Sequence, residues 1–239
     1  MEPKLVIIKK IAQYFYEEEV DYDDKYLKKD KLYQFLVHHE DKAILKLLIQ
    51  PLLNDDGQWG YKAKAILRII KINEFERDSG SMDCVVGSFN DDVGLYLLNI
   101  DISKFLKSRG SMLLKLQEEN DKDVIQVVKK LIRFFKYTDN FYNKLLHEIS
   151  NEASDLEWKD PYLFQGYLCY MLGMEDLATR QMYKHFETES ARLTRVFSGF
   201  PEVLSEEIGI EKCKLEKRLE FIQPPKKQWG QTRLKSDPS

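Results

Sequence analysis

Six carboxylates fall within eight positions near the start of the chain: Glu17, Glu18, Glu19, Asp21, Asp23 and Asp24. Crowded acids raise one another's pKa and draw cations. Tyr14, Tyr16, Tyr22 and Tyr26 lie around the run. Tyrosine beside acid suits recognition of Lys- and Arg-rich proteins, because the ring supplies contact area and the carboxylate supplies charge. Contacts to a basic protein partner are therefore expected at Glu17, Glu18, Glu19, Asp21, Tyr22, Asp23, Asp24 and Tyr26. The competing reading is a solvated helix end whose charge is offset by Lys25, Lys28, Lys29 and Lys31, as charge runs usually are.

The histidines follow no metal-binding pattern. A di-metal carboxylate bundle needs Glu three residues before His, so that both ligands point inward. Before His38, His39, His147 and His185 stand Phe35, Leu36, Lys144 and Met182. A zincin motif opens at His39-Glu40 and at His147-Glu148 but ends on Ala43 and Asn151. His185 and Glu189, one helical turn apart, suit a surface hydrogen bond better than an ion. No metal and no cofactor are expected. There is no G-x-S-x-G elbow, although Gly80-Ser81 and Gly87-Ser88 occur, and no glycine-rich phosphate loop. Cys84 has Asp83 beside it, which opposes the thiolate that a nucleophile requires. An enzyme reading would place its site at residues 76–92, on Asp83, Cys84, Asp91 or Asp92.

Cys84, Cys169 and Cys213 are an odd count with no two close in sequence, which points to a reducing compartment without a disulfide framework. The apolar run Leu5–Ile8 is too short for a signal-peptide core, and nothing approaches a membrane span of about 20 apolar residues. A cytoplasmic protein is expected. The net charge of −3 opposes broad phosphate-backbone binding. Residues 223–239 carry Lys226, Lys227, Trp229, Arg233 and Lys235 without periodicity. They are expected to form a flexible basic tail, and a nucleic-acid or membrane adaptor acting through that tail is a third functional reading.

These side chains must be positioned by regular elements, and the dominant periodicity is helical. In Asp121–Lys136, the residues Val124, Ile125, Val127, Val128, Leu131, Ile132, Phe134 and Phe135 leave a narrow polar stripe, the mark of a buried helix. Helices are also expected over Lys4–Glu19, Lys25–Val37, Asp41–Leu53 and Trp59–Ile72, and again from Asp91 to Asn99, Asp101 to Ser108 and Met112 to Glu119. Further helices are expected after Thr138 and after Asp160-Pro161, a capping acid followed by proline at the first helical position. Pro201 opens another helix that Gly209 closes, and Glu211–Ile222 forms the last. Residues 76–90 show no repeat and read as a long loop or as a linker between subdomains. With hydrophobic residues at 43% and charged residues at 32%, a sizeable core with solvated outer faces is affordable. The expectation is an all-α domain over 1–222, an irregular bundle or a stack of helical hairpins with ten or more helices. A subdomain break at 76–91 is the alternative organisation.

Within Tyr162–Phe186, the residues Tyr162, Gly166, Gly173 and Ala178 stand at the large-aromatic, first-glycine, turn-glycine and packing-alanine spacings. The segment resembles one tetratricopeptide-type unit, with Cys169 and His185 as departures from the pattern and no second copy beside it. The resemblance implies a closely packed helical hairpin and a peptide- or protein-binding surface.

The function expected from these residues is non-enzymatic: a helical protein that presents an acidic, tyrosine-rich surface to a basic protein. A bacterial immunity protein or antitoxin that neutralises a cationic toxin would fit. Nucleic-acid and membrane partners are not expected, and the sequence does not fix the oligomeric state.

Overall fold

The computed structural model describes residues 6–27, 32–53, 59–84, 98–101, 114–115, 118–136, 139–151, 158 and 160–223. The fold is mixed α/β, which overturns the all-α expectation. Helix α1 (Val6–Glu17) leads into an antiparallel sheet of β1 (Tyr22–Leu27), β2 (Leu32–His39), β3 (Ala43–Leu53) and β4 (Trp59–Ile69). Two short strands, β5 (Leu98–Asp101) and β6 (Leu114–Lys115), both pair with β4. The remaining helices are α2 (Ile70–Asp78), α3 (Glu118–Lys136), α4 (Phe141–Ile149), α5 (Pro161–Met171), α6 (Glu175–Val196) and α7 (Pro201–Ile222). A 3₁₀ turn covers Ser81–Cys84. Among the described residues there are thus seven α-helices, fewer than the ten or more expected, and they do not form a bundle.

The helices expected at Lys25–Val37, Asp41–Leu53 and Trp59–Ile72 are strand over most of their described residues, and Ile70–Ile72 begin α2. In β4, Tyr61, Ala63, Ala65, Leu67 and Ile69 are all buried, and Lys64 and Arg68 alternate with them. That is a period of two, the signature of a strand with one covered face. In β3 the same face carries Ala43, Leu45, Leu47 and Ile49. Here Ile44 and Leu48 are apolar too and half-buried, so the run also satisfies a helical template. Pro51 lies past Ile49, the last β3 residue opposite β2. Among the described residues nothing pairs with Pro51 on the β2 side of β3, so its missing N–H breaks no described ladder bond there.

The covered face packs on α1 through Ile7, Ile11 and Phe15, and on α3 through Val124, Val128, Leu131 and Ile132, in one continuous core. Phe15 meets Phe35 of β2 edge-on at 5.8 Å and Tyr22 of β1 at 5.0 Å. The buried helix expected over Asp121–Lys136 is therefore present, but it shares its core with a sheet. Helices α4 to α7 continue the core as a sequential stack. The hairpin of α5 and α6 is as close as its glycine requires: a Cβ on Gly166 would stand 2.8 Å from Met182 Cε. Gly173 takes φ +74 at its turn, which disfavours any side chain there. Gly209 does not end a helix. It sits inside the unbroken α7 with open space around it.

Residues 76–84 are not a structureless loop: α2 runs to Asp78 and the 3₁₀ turn follows. The helices expected over Asp91–Asn99, Asp101–Ser108 and Met112–Glu119 meet strand at 98–101 and 114–115. Their other residues up to 117, together with 85–90 and the tail after Gln223, lie outside the described residues.

Candidate binding groove

Strand β2 runs further than its neighbour. Tyr22, the first residue of β1, pairs with Val37, so His38, His39 and Glu40 overhang the β1 side of the sheet. The α1–β1 connection turns into that space. Its backbone closes α1 with Glu18 N–H on Tyr14 O at 3.0 Å and Val20 N–H on Phe15 O at 2.9 Å. The last residue of α3, Lys136, arrives from the helical layer. Together Glu18, Glu19, Val20, Asp21, Val37, His38, His39, Glu40 and Lys136 enclose a groove of about 490 Å³.

The groove is electronegative for two independent reasons. Among the described residues its lining holds four carboxylates and one ammonium, a balance of three negative charges. In addition, α1 and α3 both end there, and a helix C-terminus carries a partial negative charge from its unpaired carbonyls. Lys136 is ion-paired to Glu18, and that hydrogen bond raises its pKa. Glu40 takes Lys42 at 2.8 Å; the hydrogen bond and the charge of Lys42 hold its carboxyl below the ordinary value. Glu19 and Asp21 have no ion-pair partner among the described residues, and both are exposed. Glu19 feels Lys136 only through its longer-range charge. The groove's backbone is unusual as well. Glu19 (φ 51) and Glu40 (φ 45) take the left-handed region, which costs a residue with a Cβ about 1–2 kcal/mol.

The expected partner-binding residues separate into three groups. Glu18, Glu19 and Asp21 line the groove. Glu17 is exposed and accepts a hydrogen bond from Gln13 at 2.8 Å, while Asp23 and Asp24 are exposed on β1, with Asp23 3.8 Å from His38. The tyrosines are more structural than foreseen. Tyr22 packs on Phe15 and Phe35, and Tyr26 lies 4.6 Å from Tyr33. Tyr14 is half-buried under Lys129; burial, then Glu18, pushes its hydroxyl pKa up. Tyr16 alone of the four is fully presented, at 83% exposure. His38, His39, Glu40 and Lys136 escaped the sequence analysis as members of this site, because only the strand pairing and the end of α3 bring them to the acidic turn.

A second polar cluster lies in the interior. Glu76 of α2 accepts Arg218 Nε at 2.7 Å and Nη2 at 3.0 Å from α7. It also accepts the hydroxyls of Tyr167 of α5 and Ser81 of the 3₁₀ turn, each at 2.5 Å. Burial works against ionising Glu76, but the charge of Arg218 and the three donors outweigh it and hold the pKa below the ordinary value. Burial and the adjacent carboxylate push the Tyr167 hydroxyl well up, so it stays a donor. Glu76 and Arg218 are 3% and 5% exposed, which leaves no room for a substrate; the cluster joins the sheet layer to the helical stack. His185 of α6 is buried nearby. Burial, then Arg218, lowers its pKa, so it is neutral at pH 7. Glu189 takes Arg192 at 2.7 Å.

The residues of the enzyme reading do not assemble into a site among the described residues. Cys84 faces Cys213 and Lys217, the side chain of Asp83 lies outside the described residues, and so do Asp91 and Asp92. No group of three His, Cys, Asp or Glu suited to a metal ion occurs among the described residues. No helix there is long and apolar enough to cross a membrane. No protein-family model, curated protein or solved structure matches the chain.

Proposed function

We propose that the chain is a binding protein that receives Lys or Arg side chains of a basic protein partner in the groove between the α1–β1 turn and the end of β2. The observation that carries this is the pair Glu19 and Asp21, exposed and without an ion-pair partner among the described residues, at the rim of a concave site where two helix C-termini point. A guanidinium entering there meets two carboxylates that carry no ion-pair partner among the described residues, and such charge complementarity raises association rate and selectivity more than raw affinity. Left-handed backbone at Glu19 closes the C-terminus of α1, and at Glu40 it turns β2 into β3, so both rims of the groove are defined by hydrogen-bonded turns. Neutralising a cationic toxin, as an immunity protein or antitoxin does, is one role that this chemistry would serve.

The test is titration with an arginine-rich peptide by calorimetry at low and at physiological salt. Binding is expected to weaken as salt rises. Glu19→Lys with Asp21→Lys should weaken it at least tenfold. Lys136→Ala should strengthen it, because the groove then loses its one competing ammonium. Equal affinity of the double charge reversal and the parent would refute the assignment.

A further inference from the structure

We propose that Cys84 and Cys213 are a thiol-modification site that closes to a reversible intramolecular disulfide and tethers the 3₁₀ turn to α7. The two residues, remote in sequence, are brought together by the clamp around Glu76. Arg218 of α7 grips Glu76, and Lys217 Nζ donates to the Gly80 carbonyl at 2.8 Å. Cys213 stands one helical turn before Lys217 and so on the same face of α7. Cys84 stands one 3₁₀ turn beyond Ser81, which is itself tied to Glu76. The Cys84 and Cys213 side chains are close enough to act on each other electrostatically, with the Lys217 ammonium beside Cys84. Both cysteines are half-buried and free, whereas Cys169 is buried elsewhere in the core. Neighbouring cysteines held by packed elements need little backbone movement to bond; burial and Cys213 push the Cys84 thiol up, so the exchange starts from a minor thiolate fraction that the Lys217 ammonium favours.

The oxidant is a small disulfide of the glutathione class. A thiolate of the pair attacks one of its sulfurs and expels one small thiolate. The second protein sulfur then attacks the mixed disulfide and expels the other. Two protein thiols become one disulfide, the small disulfide becomes two thiols, and the two protein protons pass to the leaving thiolates. The new bond closes a loop of more than half the chain, which restricts the unfolded state and stabilises the oxidised form.

The test uses the full chain treated with oxidised glutathione and digested without reductant. A cross-linked peptide holding Cys84 and Cys213, lighter by two hydrogen atoms, is expected. Titratable thiols should fall from three to one, and dithiothreitol should restore them. The oxidised form should unfold at a higher urea concentration than the reduced form. Cys213→Ser should leave Cys84 able only to carry a glutathione adduct. The proposal is overturned if Cys84 and Cys213 of the parent stay free, appear only as separate glutathione adducts, or cross-link only between two molecules.

Discussion

Glu76 and Arg218 show what a buried charge needs. Neither could stay ionised alone in the interior, and each is held by the other. Removing one partner leaves the second without compensation, so Glu76→Ala or Arg218→Ala should each destabilise the fold by about 3–5 kcal/mol in urea unfolding. The acid sensitivity follows from the same groups. Glu76 titrates below 4.5 in the folded chain. Its contribution is therefore present above about pH 4.5 and is lost as pH falls through the lower folded value. His185 titrates below 6.5 when folded, so the unfolded chain takes up the proton first and stability begins to fall as pH drops below about 6.5. His185→Gln should flatten stability near pH 6 and leave the steeper loss below pH 4.5; an unchanged profile near pH 6 would assign that slope elsewhere. At Glu19, the left-handed penalty of about 1–2 kcal/mol exceeds glycine's entropic cost of about 0.5–1 kcal/mol. Glu19→Gly should thus raise stability slightly while weakening the binding of cations. Glu18, Glu19 and Asp21 of this site were visible in the sequence as a charge run, whereas Glu40 was not. The Glu76–Arg218 pair was not, because nothing local marks two positions that meet through the packing of α2 against α7.

At the scale of elements, helical composition misled over the sheet. Lys, Leu and Ala favour helices by propensity, and β3 is apolar on both faces, so its length and composition fit a helix as well as a strand. The alternation in β4, from Tyr61 to Ile69, was the signal that could have separated them. Where the apolar stripe was unambiguous, as in α3, or the start was marked by Asp160-Pro161, the helix is present. Gly209 was read as a stop, yet α7 continues because its neighbours still pack: Leu215, Arg218 and Ile222 are buried further along. With open space around it, Gly209→Ala should stabilise α7 by about 0.5–1 kcal/mol, measurable as a shift in thermal midpoint. Gly166→Ala should do the opposite. Its new methyl would press on the buried Met182 at 2.8 Å, 3.1 Å and 3.3 Å along the side chain, and overpacking costs about 1–3 kcal/mol. In a Met182→Ala background the sign should reverse, because only the helix-propensity gain remains. The α5–α6 hairpin thus shows the close approach that the tetratricopeptide resemblance implied, as one hairpin within a larger helical stack.

Across the whole molecule, the groove is a product of assembly. Three of its acids come from the α1–β1 connection, Glu40 and its histidines from the overhang of β2 and its lysine from the end of α3, segments far apart in the chain and joined by one core. The sequence displayed a third of that lining as Glu18, Glu19 and Asp21. Val37, His38, His39 and Glu40 required knowing that residues 32–39 form a strand, which the helical reading hid. The groove's charge and concavity make a localised, salt-sensitive encounter with cationic side chains the central claim. The most direct measurement is a two-dimensional NMR titration of the labelled chain with an arginine-rich peptide. We expect shift changes confined to Glu18–Asp21, Val37–Glu40 and Lys136, diminishing as salt is added and absent with a glutamate-rich peptide of equal length. Shifts centred on the exposed tip of the α6–α7 hairpin, or none in the groove at saturating peptide, would contradict it.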